Sequence, residues 1–364
     1  MVLDWGNVLT GRAALLGLRR AGTASANGSA RLLRSTDGWL AVNLPRADDV
    51  AAVPALLAPA GMDASEIDSD DPWPAVTEGA VRLPRRQLLL QAALLGIPAA
   101  ALRPPPASVE PFRVERRWSP RSPIALDKVR VVDLSSMWAA PLATRILAAA
   151  GAEVVKVELS GRPDGARGQP DLYRWLHEDH QQQCTIDASS GAGLVRLRTL
   201  LASADVVVES SRPRALSQLG AGPEDIPPSR GRVWLAVSGH GRGAGARLVG
   251  FGDDAAVAGG LVGWEGPDRP VFLADAIADP VTGMVAATAV LEALRSGGGL
   301  LLDVALSSAA AWLAAGGRWG APPASPAVRP DPDGRWELQA DGLAAPIAAP
   351  VAAPPIPPPG RPSS

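Results

Sequence analysis

Apolar positions along this chain alternate between short β-branched runs and longer stretches of helical period. Residues 129–135 form a strand by their valines. Residues 142–150 carry a helical pattern stopped by Gly151, and residues 152–158 are the next strand. Strand, helix and strand within about thirty residues make a βαβ unit, which implies a parallel pair. Residues 185–187, 205–209 and 233–238 read as further strands, with a helix over 191–202 between the first two. This alternation predicts an α/β fold with ligands at the carboxyl ends of its strands. Farther on, an apolar run from Phe272 delivers Asp279 to the mouth of a helix with a small apolar face from Met284 to Leu294.

The first 120 residues pattern differently. Helices are predicted over 11–21 and Arg85–Leu95. Between them, 34–44 reads as a turn and strand, and 48–57 as a helix opened by acidic residues. A Pro-rich linker follows, and after Leu313 the chain turns Gly/Pro-rich. There 331–338 is expected to add a strand pair, and 346–364 to form a mobile tail. The predicted plan is a small α+β segment over 1–103, a linker over 104–124, a Rossmann-like core over 125–315 and a tail over 316–364.

Composition narrows the function. A length of 364 residues allows two domains and a large core. A net charge of −2 offers nothing to nucleic acid or an anionic membrane. A single cysteine, Cys184, excludes an internal disulfide and fits a reducing compartment, as a small core residue at a strand edge. The first residues lack the charge and apolar pattern of a secretory leader, and no apolar run reaches the length of a membrane span. A cytoplasmic protein is expected.

Asp279 stands in Ala278-Asp279-Pro280-Val281-Thr282-Gly283. An aspartate at a helix start is ordinarily a cap for free backbone N–H groups. Asp133-Leu134-Ser135-Ser136-Met137-Trp138-Ala139-Ala140-Pro141, residues 147–158, Asp164 with Arg167-Gly168, residues 204–213, Val237-Ser238-Gly239-His240-Gly241, the Asp279 motif and residues 297–306 follow in that order. Together they resemble the class III coenzyme A transferases, the family of formyl-CoA transferase, carnitine-CoA transferase and the α-methylacyl-CoA racemases. The resemblance covers roughly residues 127–312, about half the chain. It implies a parallel Rossmann-like core with no permanently bound cofactor. CoA would pass between an acyl-CoA and a carboxylic acid, both substrates, in a homodimer. In the family the nucleophile is the Asp of the Asp-x-x-Thr/Ser-Gly motif, hence Asp279; Asp275, four residues earlier, lacks the Thr-Gly sequel.

By the same resemblance Trp138 and Ala139 sit on a CoA-contacting loop. Ser210 and Ser211 lie near the adenine, Val249 to Gly252 line the pantetheine, and Arg162, Arg167 and Arg212, which follows the two serines, are offered to the phosphates. Departures are visible. Leu159 stands where the family often has Arg, and residues 180–184 replace its Asn-Lys-Arg, which weakens the expected phosphate contacts. Phe251 occupies the place of the racemases' His, and His240 is expected to be structural. His177, His180 and Cys184 lie in a stretch that reads as polar loop and lack a fourth ligand, so no metal site is expected. The loop after the first core strand has no Gly-x-Gly-x-x-Gly, which argues against a dinucleotide enzyme. A small-domain-like segment before the core makes the chain look permuted. The alternatives are a CoA-ester racemase or isomerase and a catalytically weak CoA-ester-binding paralogue. The permutation also predicts a domain-swapped or side-by-side dimer, with helices 11–21 and Arg85–Leu95 at the contact.

Overall fold

The computed structural model describes residues 5–177, 180, 182–212 and 214–316, with three short strands between 327 and 346. The N-terminal part runs α1 (Trp5–Leu16), β1 (Ala30–Ser35), β2 (Gly38–Asn43), α2 (Ala47–Ala51), α3 (Val53–Leu57), α4 (Trp73–Arg82), α5 (Arg85–Leu95) and β3 (Ala99–Ala101). Helix α1 begins and ends earlier than the apolar pattern suggested. Gly17, at φ 65°, is its left-handed stop, and the Leu18 N–H reaches back to the Ala13 carbonyl. The helix expected over 48–57 is two, meeting at Ala52, with Pro54 in the first turn of the second. Strands β1, β2 and β3 form an antiparallel sheet whose apolar side chains pack with α3, α4 and α5 around Leu40, Val53, Leu56 and Leu88.

The larger part follows as β4 (Arg113–Arg116), β5 (Arg130–Leu134), α6 (Ala139–Ala149), β6 (Glu153–Leu159), α7 (Pro170–His177), β7 (Gln182–Ile186), α8 (Gly191–Ser203), β8 (Val206–Glu209), α9 (Arg214–Gln218) and β9 (Val233–Ser238). It continues with α10 (Gly252–Ala258), β10 (Gly263–Trp264), β11 (Pro270–Val271), α11 (Ala278–Arg295), β12 (Leu300–Ala305) and α12 (Leu306–Gly316). Strands β13 (Ala327–Pro330), β14 (Trp336–Ala340) and β15 (Leu343–Pro346) make a separate antiparallel sheet where a strand pair was expected. The tail over 347–364 lies outside the described residues.

Seven strands form the central sheet in the order β4-β12-β9-β8-β5-β6-β7, all parallel except β4. Its valine-rich strands are buried on both faces, as a parallel sheet requires. Val131, Val154, Val208, Leu235 and Leu302 point to a core shared with α6, α10, α11 and α12. Their neighbours Val132, Val155, Val207, Trp234 and Leu301 point the other way, against α8 and α9. The antiparallel edge strand β4 comes from the stretch expected to be linker. All four of its side chains are exposed, so no apolar alternation marked it.

The two parts meet on α10. Ala30, Leu32 and Ala41 pack with Val257 and Phe272, and Asn43 Nδ2 donates to Asp254 Oδ1 at 2.8 Å. Among the described residues no helix is long and apolar enough to cross a membrane.

Candidate functional site

Strand order reverses between β5 and β8, whose helices leave on opposite faces, so a crevice opens at their carboxyl ends. It has a volume of about 650 Å³, and its walls include Met137, Arg162, Ser210, Arg212, Val249 and Phe251. Ser211 lines it as well. The Ser210 hydroxyl accepts the Ser136 N–H at 2.8 Å, which ties the loop after β5 to the end of β8. Arg162 and Arg212 are exposed and form no ion pair among the described residues. Arg167, considered beside them, is committed to Glu158 at 2.8 Å and lies under Tyr173. Trp138 and Ala139 do not reach the crevice. Both are buried, and Trp138 caps α6 beneath the wall.

Helix α6 starts at Ala139, a turn earlier than its apolar pattern, and this shift builds the second half of the site. Small residues let α6 and α11 approach closely: a Cβ on Gly283 would lie 2.7 Å from the Ala139 carbonyl oxygen and 2.9 Å from Leu142. The approach brings the Ala139 N–H to the carboxylate of Asp279, in the first turn of α11. From the third side comes Gly252, where α10 starts. A Cβ there would strike Asp279 Oδ2 and sit 2.7 Å from Ala276 Cβ. Three helix starts therefore converge on one carboxylate, each offering positive dipole ends to an anion. Gly250 and Phe251, the residues before Gly252, are on the crevice wall.

Asp279 has acidic company. Asp253 and Asp254 on α10 are buried, as is Asp275 in the bend before α11. Burial pushes Asp279 up to about 7, with Asp275 and Asp254 adding to the rise and Arg12 opposing it. Burial likewise carries Asp253 and Asp254 to about 7. Arg12, on α1, pairs with Asp275 at 2.6 Å and lies over the Trp138 ring at 5.2 Å. Ala274 and Ala276 flank Asp275 at φ 51° and 40°, left-handed values that disfavour alanine. The Ala276 N–H donates to Asp253 Oδ1 at 3.1 Å and helps hold that bend. Sequence analysis weighed Asp275 only as a rival to Asp279, and missed Arg12 entirely. It lies over 260 residues away in sequence, and no local pattern points to it.

A second buried network supports the crevice floor. Lys156 reaches Asp164 at 3.1 Å, approaches Asp133 at 3.9 Å and donates to the Ser135 carbonyl. Asp164 Oδ1 accepts the N–H of Met137, a left-handed residue at φ 75° on the crevice wall. Burial alone would raise Asp164, yet His177, Lys156 and backbone donors hold it well below the usual carboxylate range. His177 and His180, expected in a polar loop, are buried instead, with their Nδ1 atoms 3.2 Å apart. Asp133 comes within 4.8 Å of both, whereas Cys184 is half-buried on the edge strand β7. Burial lowers His180 to about 4, so it is neutral near pH 7. His240 is half-buried beside Gly250, and desolvation lowers its imidazole from the ordinary value.

Comparison with known proteins gives this arrangement a context. The profile of CoA-transferase family III matches residues 126–332. The succinyl-CoA–D-citramalate CoA-transferase of Chloroflexus aurantiacus is 31% identical over 52% of this chain and 50% of its own length. The succinyl-CoA:glutarate CoA-transferase of Mus musculus is 32% identical, over 50% of this chain and 45% of its own. A CAIB/BAIF family protein from Brucella suis matches in structure with a TM-score of 0.50 and 25% identity, covering 60% of this chain and 66% of that one. The chain spans about half the length of the curated relatives it matches.

Proposed function

The chain belongs to CoA-transferase family III, and from that premise we propose that it moves coenzyme A from an acyl-CoA to a carboxylic acid through Asp279. The observation that carries this reading is the placement of Asp279. Its carboxylate is enclosed by the starts of α6, α10 and α11, directly behind the crevice wall at Phe251. A carboxylic acid is a poor acceptor until activated, and a side-chain carboxylate provides the activation. Ionised Asp279 attacks the thioester carbonyl. The tetrahedral intermediate expels CoA thiolate and leaves an acyl–aspartyl anhydride. The thiolate then attacks the aspartyl carbonyl, releasing the donor acid and forming an aspartyl–CoA thioester. The acceptor carboxylate attacks that thioester, and the thiolate returns to the acceptor's carbonyl, which frees Asp279. Backbone N–H groups at the helix starts are suited to the oxyanions. CoA is a substrate throughout, with Arg162 and Arg212 offered to its phosphates and Ser210, Ser211 and Val249 along its path.

Phe251 in place of an imidazole disfavours the racemase alternative, since it provides no proton-accepting partner for Asp279. A 2-methylacyl-CoA should take up no deuterium at Cα in heavy water. We propose no acyl group beyond the thioester class. Assembly is proposed as a homodimer that dissociates on dilution, joined through α5, which leaves Leu90 and Leu94 exposed. Helix α1, also expected at that contact, instead packs within the chain, with Gly11 against Trp175. The deciding experiment treats enzyme and acyl-CoA with hydroxylamine. Mass spectrometry should find a hydroxamate at Asp279, and Asp279→Ala should lose CoA transfer while binding CoA within a few-fold. A label on Asp275 or Asp253, or transfer by Asp279→Ala, overturns the assignment.

A further inference from the structure

The carboxylates around Asp279 face very little positive charge. Asp253 and Asp254 come from α10, Asp275 from the bend before α11, and Asp279 from α11 itself. Helix α6 contributes the Ala139 N–H and the Trp138 ring. Arg46, paired with Asp49 at the start of α2, acts on Asp254 from the N-terminal sheet. Arg12 is the cation that acts on Asp279 and Asp253. It arrives on α1, more than a hundred residues before the core begins.

We infer that Arg12 is a positioning residue of the candidate site: it fixes Asp275 and the Ala274–Ala276 bend, and supplies the cation against which Asp279 ionises. Three observations support this. Its Nη1 bonds Asp275 Oδ1 at 2.6 Å, with side-chain exposures of only 15% and 1%. Its guanidinium plane covers Trp138, the cap of the helix that presents the Ala139 N–H. The residue it grips stands between two left-handed alanines, a bend that persists only if held. Asp275 Oδ2 is buried without a partner, so Arg12 is the main compensation for that charge. The balance at Asp279 is therefore between Arg12, which favours the carboxylate, and Asp275, which disfavours it.

The inference rests on Asp279 as the reacting group, and its test separates the two ideas. The acid limb of CoA transfer against pH is measured for wild type, Arg12→Gln, Arg12→Lys, Asp275→Asn and the Arg12→Gln/Asp275→Asn pair. In parallel, the Asp279 ¹³Cγ resonance, assigned by its loss in Asp279→Asn, is titrated without any substrate. Removing one charge should move the midpoint by about one pH unit, upward for Arg12→Gln and downward for Asp275→Asn. The double variant should return close to wild type, and Arg12→Lys should stay close to it. Because the double variant removes the Asp275 charge together with its Arg12 partner, it remains informative if Arg12→Gln folds poorly. Rates that fall in every variant with an unmoved midpoint would reduce Arg12 to a packing residue and overturn the inference. If wild type transfers no CoA, the proposed reaction fails, while the ¹³C titration still decides the role of Arg12.

Discussion

Replacing Asp279 with Asn separates chemistry from folding, because the burial that prepares this carboxylate also opposes its charge. In the fold its proton is held from the ordinary 3.8 up to about 7. At about 1.4 kcal/mol per tenfold in affinity, ionising it inside the fold opposes stability by at most roughly 4 kcal/mol. Asp279 keeps part of its surface open and Arg12 stands nearby. About half that figure, roughly 2 kcal/mol, is therefore expected. The unfolded chain releases this proton near pH 4 and the folded chain near pH 7, so the folded state binds more protons between them. Wild type should lose this contribution as pH rises from about 4 to about 7, then level off. A carboxamide at this position has nothing to titrate, so Asp279→Asn should exceed wild type in stability at pH 8 by about 2 kcal/mol and show little or no gain at pH 5. Urea unfolding at both pH values, beside a CoA-exchange assay, measures this. The same stability difference at both pH values would refute the burial argument, and surviving exchange would refute the chemistry.

Other perturbations report on the surrounding frame. Gly252→Ala puts a methyl group against Asp279 Oδ2 and Ala276; transfer should fall at least a hundredfold, and unimpaired turnover would show that α10 does not abut the reacting carboxylate. Lys156→Met strands Asp133 and Asp164 in the core and should cost about 3–5 kcal/mol by denaturant unfolding; a loss below 1 kcal/mol would contradict the buried network. Glu158 is held below its usual value, where burial is outweighed by Arg167, Tyr173 and the Asp164 N–H. That contribution is fully present above the unfolded value of 4.5 and lost as pH falls through the lower folded value, so Glu158→Gln should flatten acid unfolding below about pH 4.5. An unchanged acid profile would remove Glu158 from the account.

Several parts of this protein are legible one segment at a time. The valine runs of β5, β6, β8 and β9 identify buried parallel strands because both faces of such a sheet are apolar. The Asp-x-x-Thr-Gly motif marks Asp279 because its spacing is local. Strand β4 is hidden for the opposite reason: it lies on an edge with its side chains in solvent. Likewise, His177 and His180 read as loop because their burial comes from α7 closing over Asp133 and Lys156, which nearby polarity does not reveal.

The alternation of strands and helices, the order of the family's motifs and the carboxylate at the head of α11 are all written in the chain's local patterns. What surrounds that carboxylate is a product of long-range packing. Close approach at Gly283 delivers the Ala139 N–H, Gly252 leaves room for Oδ2, and α1 folds back to set Arg12 against Asp275. Local propensity and periodicity act over a few residues. The charge balance at Asp279 is set by groups within a few ångströms in space and up to 267 positions apart in sequence, between Arg12 and Asp279.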